Sequence, residues 1–125
     1  MARALHILLV DDEEDFLEAT SKRLVRRGFE VRTATRCGEA LPVVESGWPD
    51  VVVLDVMLPD TDGLACLRTM KGVSPRLPVV MLTAHASMQA GLSGIEHGAS
   101  DYCLKPIELD ALVEKIRIAV ADAQS

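Results

Sequence analysis

Val51-Val52-Val53-Leu54-Asp55-Val56-Met57-Leu58-Pro59 decides how this chain folds. Four consecutive aliphatic residues show no apolar/polar alternation, so the run reads as a strand buried on both faces, as in a parallel sheet. It then stops at an acid, Asp55. Working outward, short apolar runs recur at a near-regular interval over residues 5–10, 29–34, 79–82 and 101–104. His6-Ile7-Leu8-Leu9-Val10 and Val79-Val80-Met81-Leu82 share the same unbroken aliphatic character.

The intervening segments have helical spacing. Phe16, Leu17, Thr20, Leu24 and Val25 fall on one face of a first helix. Leu64, Leu67 and Met70 do so in a third, and Leu109, Leu112, Val113, Ile116, Ala119 and Val120 form a final stripe at i, i+3, i+4, i+7. Gly28, after the basic turn ending in Arg26 and Arg27, suits a helix C-terminus, as does Gly98 after His97. The order βαβαβαβαβα implies an open, doubly wound α/β domain with a parallel sheet, right-handed crossovers and helices on both faces. Residues 1–125 are expected to form a single domain. Two helices are weak. The second contains Pro42, which is tolerated only in a first turn. The fourth, about residues 87–97, carries Gly91 and Gly94, each costing roughly 1 kcal/mol against Ala. Close packing explains such glycines; so does a helix that moves easily.

Composition limits the function. Of 125 residues, 49% are apolar and 26% charged, which excludes a disordered tail. Thirteen Lys and Arg against 19 Asp and Glu leave a net charge of −6 and no basic run, so direct nucleic-acid binding by this chain is not expected. No apolar stretch approaches membrane-spanning length, and the first residues do not form a signal-peptide core. Cys37, Cys66 and Cys103 form no metal or redox motif and read as reduced thiols of a cytoplasmic protein.

In open parallel sheets the site lies beyond the carboxyl ends of the strands. Asp11 and Asp12 follow the first strand there, Asp55 the third, Thr83 the fourth and Lys105-Pro106 the fifth. A lone Asp after a strand is commonly a cap. Three converging carboxylates repel one another and need compensation. Lys105 offsets one charge, and a divalent cation with oxygen ligands, Mg²⁺ by preference, offsets the other two. Such a pocket attracts a phosphoryl group, and an Asp nucleophile gives an acyl phosphate.

At this point the chain is similar to a known family. Leu8-Leu9-Val10-Asp11-Asp12-Glu13, Leu54-Asp55-Val56-Met57-Leu58-Pro59 with Gly63, Val80-Met81-Leu82-Thr83-Ala84, and residues 98–106 ending in Lys105-Pro106 resemble the receiver domain of bacterial response regulators. The resemblance implies a flavodoxin-like sheet in strand order 2-1-3-4-5. It implies that Asp55 accepts a phosphoryl group from a sensor histidine kinase or histidine phosphotransfer protein. Asp12 would bind Mg²⁺ directly and Asp11 through water, with Asp55 and the Met57 carbonyl completing the protein ligands. Lys105 would pair with the phosphoryl group, aimed by a cis bond to Pro106. Thr83 would hydrogen-bond the phosphoryl oxygen, and Tyr102 would be the switch aromatic, altering the surface of the fourth helix, fifth strand and fifth helix. Ile118 is a candidate for that surface. A homodimer through the same face, a downstream output protein and an effector domain outside this chain are all compatible with it. Met57 and His85 occupy positions where family members differ in phosphoryl lifetime. His6 and His97 read as ordinary strand and helix-end residues.

Two other classes compete. A haloacid-dehalogenase-like phosphatase also uses an Asp after a strand but wants a second Asp two residues on, where Met57 stands. A phosphate-independent receiver-like interaction module would have lost the acid pair, the acceptor or the lysine, and all are here. No conventional enzyme is expected, only self-phosphorylation from phosphodonors and autodephosphorylation.

Overall fold

The computed structural model describes residues 3–84 and 94–124. Five strands, β1 (His6–Val10), β2 (Glu30–Ala34), β3 (Val51–Leu54), β4 (Val79–Thr83) and β5 (Asp101–Leu104), form one parallel sheet in the order β2-β1-β3-β4-β5. Helices α1 (Glu14–Arg26), α2 (Cys37–Glu45) and α3 (Gly63–Val73) connect the first strands, and a C-terminal helix (Leu109–Ala123) follows β5. Residues 94–96 are helical; His85, Gly91 and the rest of the expected fourth helix's start lie outside the described residues.

Successive side chains of a buried strand point to opposite faces, and here each face has its own core. Ile7, Leu9, Val51, Val53, Val80 and Leu82 pack beneath α1 and the C-terminal helix with Leu17, Leu24, Leu112 and Ile116. Leu8, Val10, Val52, Leu54, Val79 and Met81 pack against α2 and α3 with Ala40, Val44, Leu67 and Met70. Each fully buried aliphatic side chain contributes roughly 2 kcal/mol, which explains why β1, β3 and β4 lack polar alternation.

Register brings the strand ends level. Val10 pairs with Leu54, so Asp11 and Asp55 start at the same height. Thr83 pairs with Leu104, and it is the last residue of β4 rather than the first after it. The helices differ from expectation in two places. Val25 is exposed, not part of the buried stripe of α1. Helix α2 runs through Pro42, because Cys37, Ala40 and Val44 bury its apolar side despite the lost donor. Gly94 supports the close-packing reading: a Cβ there would lie 2.9 Å from Met81 Sδ.

The cysteine expectation is corrected. Cys37 and Cys66 form a disulfide between α2 and α3, with Cα atoms 5.9 Å apart. The partners are 29 residues apart and meet only because both helices cover one face of the sheet. Cys103 alone is a free thiol, and burial among apolar neighbours pushes its ionisation up.

Candidate functional site

The site is built by the strand ends. The Asp11 N–H donates to Ala34 O at 3.1 Å, and the Asp55 N–H to Val10 O at 2.9 Å, extending the ladder one residue past β1 and β3. Both carboxylates are thereby held against the sheet, at 3% and 4% exposure. Asp12 is exposed beside them. Among the described residues, Asp11, Asp12 and Asp55 form a group whose ligand oxygens all lie within 4.8 Å of one another. Three hard oxygen donors on one spot match the chemistry of Mg²⁺.

Lys105 enters from the far strand. Its N–H donates to Thr83 O at 2.8 Å, and its peptide bond to Pro106 is cis. Its Nζ donates to Asp11 Oδ2 at 2.6 Å and to Glu13 Oε1 at 2.8 Å, and lies 3.8 Å from Asp55 Oδ2. The ammonium also sits 4.1 Å from the Phe16 ring centroid, a favourable cation–π placement. The acids outnumber the cation, and both partners register it. Burial pushes the Asp11 carboxyl above its ordinary range, against the hydrogen bonds from Lys105 and the Glu13 N–H, and the Asp55 charge adds to the rise. Burial alone would lower Lys105, but hydrogen bonds to Asp11 and Glu13 hold it above its usual value. One over-satisfied ammonium among under-compensated carboxylates is a site with room for more positive charge.

Thr83 is fully buried at the end of β4. Tyr102 is half-buried on β5, against the core that faces α2 and α3. Met57 is exposed, and its N–H donates to Asp55 Oδ1 at 3.3 Å. The structure thus brings Asp11, Asp12, Asp55, Met57 and Lys105 together; Thr83 and Tyr102 lie on the adjoining strands. His85 falls outside the described residues.

Three residues have roles that the sequence did not disclose. Glu13 holds Lys105; an acid after a strand reads as a turn residue until its partner is known. Phe16 reads as part of the buried face of α1, yet it also carries the Lys105 ammonium. Gly63 starts α3 so close to the acceptor that a Cβ would strike Asp55 O and lie 2.6 Å from Val56 Cα. A glycine after Pro59 was visible, but not the backbone it touches. His6 is also more engaged than expected: its ring stacks on Trp48, centroids 4.4 Å apart.

A family model described as the response regulator receiver domain matches residues 7–117. Response regulator MprA of Mycobacterium tuberculosis is 38% identical over 114 residues, covering 91% of this chain and 50% of that protein. The chain therefore spans about half the length of the curated relatives it matches. A CheY-like receiver domain protein from Methanospirillum hungatei superposes with a TM-score of 0.92 at 30% identity, covering 97% of each chain. A response regulator from Burkholderia pseudomallei, solved with a phosphorylated aspartic acid, calcium and citrate, superposes with a TM-score of 0.86 at 25% identity, over 96% of this chain and 71% of that one. Among the described residues no helix is long and apolar enough to cross a membrane.

Proposed function

The chain belongs to the response regulator receiver domain family, and on that premise we propose that it is a phosphoacceptor switch whose acceptor is Asp55. The observation that carries this reading is the convergence of three carboxylates within 4.8 Å beside a lysine. An Asp55 carboxylate oxygen attacks the phosphorus of a phosphohistidine on a sensor kinase or phosphotransfer protein. The new O–P bond forms as the P–N bond breaks, and the histidine leaves with the electron pair. The product is an acyl phosphate.

Mg²⁺ held by Asp12, Asp55 and the Met57 carbonyl, with Asp11 acting through water, would supply the positive charge that the approach of a phosphoryl group requires. Lys105 needs only a short movement, because its Nζ already lies 3.8 Å from Asp55 Oδ2. It exchanges its bonds to Asp11 and Glu13 for a phosphoryl oxygen. The Thr83 hydroxyl, buried at the neighbouring strand end, donates to another. Tyr102 then turns inward and reshapes the face made by the fourth helix, β5 and the C-terminal helix. Exposed aliphatic residues support that face as a docking surface: Ile95, Leu104 and Ile118 each lie about half exposed on its elements. Partners there are an output protein, an effector domain or a second copy of the chain. Residues 1–125 act as one domain in the cytoplasm, and Met57 and His85 tune the lifetime of the phosphoryl group. The domain's only chemistry is on itself: it takes a phosphoryl group and later loses it to water.

Intact-mass measurement after incubation with a small phosphodonor tests the reading. One phosphoryl adduct is expected with Mg²⁺, none without it, and none in Asp55→Asn. An adduct that persists in Asp55→Asn would overturn it.

A further inference from the structure

The disulfide brackets the loop that follows the acceptor. It joins the first residue of α2 to the fourth of α3, and residues 37–66 form the covalent ring that it closes. Asp55 and the whole loop 56–62 lie inside that ring. The loop has two side-chain anchors, each next to a bridged cysteine. Asp60 accepts from the Cys37 N–H at 3.0 Å and from the Gly38 N–H at 2.9 Å. Asp62 accepts from the Ala65 N–H, one residue before Cys66, at 2.9 Å. The spacing of the two anchors follows the spacing of the two helices, which the S–S bond spans. Both cysteines are nearly buried, but both line a groove of about 250 Å³ with Gly38, Asp60, Thr61 and Ala65. That groove is the way by which a small thiol would reach the sulfurs.

We propose that Cys37 and Cys66 are a reversible dithiol–disulfide site, exchanged by dithiol reductants, whose oxidised state clamps the acceptor loop and whose reduced state releases it. A reductant thiolate attacks one sulfur, breaking the Cys37–Cys66 bond and forming a mixed disulfide. The reductant's second thiolate attacks its own sulfur in that intermediate and expels the second cysteine. The reductant becomes a disulfide, two electrons pass to the cysteine pair, and two protons are taken up. In a reducing compartment such a bond is a transient, signal-bearing state rather than a permanent staple. The loop carries Met57, whose N–H reaches Asp55 Oδ1, so release is felt at the acceptor. That last consequence rests on the phosphoacceptor reading; the clamp itself does not.

Alkylation and hydrogen exchange test the clamp without any phosphodonor. After oxidation, the unfolded chain should take one iodoacetamide label, at Cys103, and after treatment with dithiothreitol three. Amides of residues 56–62 should exchange at least tenfold faster in the reduced protein. The double variant Cys37→Ser/Cys66→Ser should exchange like the reduced protein in both buffers. Three labels after every oxidising treatment, or loop exchange within twofold between the two states of the wild type, would sink the proposal. Failure of the phosphoryl adduct with a redox-dependent loop would instead count against the function of Asp55 alone.

Discussion

The two ends of the parallel sheet handle charge in opposite ways. At the amino ends the acids beside β1 have partners. Arg3 donates to both Asp50 oxygens, at 2.6 and 2.8 Å, and Asp50 also accepts from the His6 N–H at 2.8 Å. His6 Nε2 lies 3.1 Å from Glu30 Oε2, and Arg32 covers the Trp48 ring on which His6 stacks. At the carboxyl ends Asp11, Asp12, Glu13 and Asp55 crowd around Lys105. Matched charge holds a chain in place. Excess charge of one sign costs stability and is retained where a ligand of opposite sign completes it.

The sharpest way to break this contrast is through backbone room. Gly63 at the crowded end meets Asp55 O and Val56 directly, whereas Gly47 at the matched end has φ +77 and nothing within 4 Å. Gly63→Ala should cost about 3 kcal/mol or more. Gly47→Ala should cost only about 1 kcal/mol, for its left-handed backbone. Urea unfolding measures both, and equal losses would erase the distinction.

Metal comes next. At a hundredfold excess over its Kd, Mg²⁺ should add about 2.7 kcal/mol to the unfolding free energy. Asp50→Asn should retain that increment and Asp12→Asn should lose most of it. A similar increment in both variants would place the ion elsewhere.

Smaller effects should differ in sign. In metal-free buffer Asp12→Asn should raise the melting temperature by relieving repulsion, while Asp50→Asn should lower stability by about 1 kcal/mol as its charge-assisted bonds are lost. The Asp50 term has a pH signature. Burial opposes ionisation there, yet the Arg3 hydrogen bond and the His6 N–H hold its carboxyl below the ordinary value. Its contribution is full above the unfolded aspartate pKa, about 3.9, and fades as pH falls from there through the folded value. The gap between wild type and Asp50→Asn should therefore close on acidification below about pH 4. A gap that stays constant would remove Asp50 from the matched set.

How much of this was legible in the sequence follows from how local each signal is. Val51 to Leu54 announce a doubly buried strand because the period is written in four adjacent residues. The acids and Lys105 at strand ends were legible for the same reason: a parallel sheet converts chain order into spatial neighbourhood. Cys37 and Cys66 were not, because their pairing depends on two helices choosing one face. The role of Glu13 was not legible either, since its partner Lys105 arrives from 92 residues away. Pro42 misled because tertiary burial of Ala40 and Val44 outweighed a local rule.

The alternation along β1 has an engineering consequence. Ile7 and Leu9 serve one core, Leu8 and Val10 the other, and the acid pair follows without a spacer. Deleting one residue within β1 would swap the occupants of both cores and displace the acids by one rung at once. The strand thus tolerates no change of length, and any peptide tag or reporter is best spliced at the opposite rim, where Gly47 turns with nothing within 4 Å of the place a side chain would start.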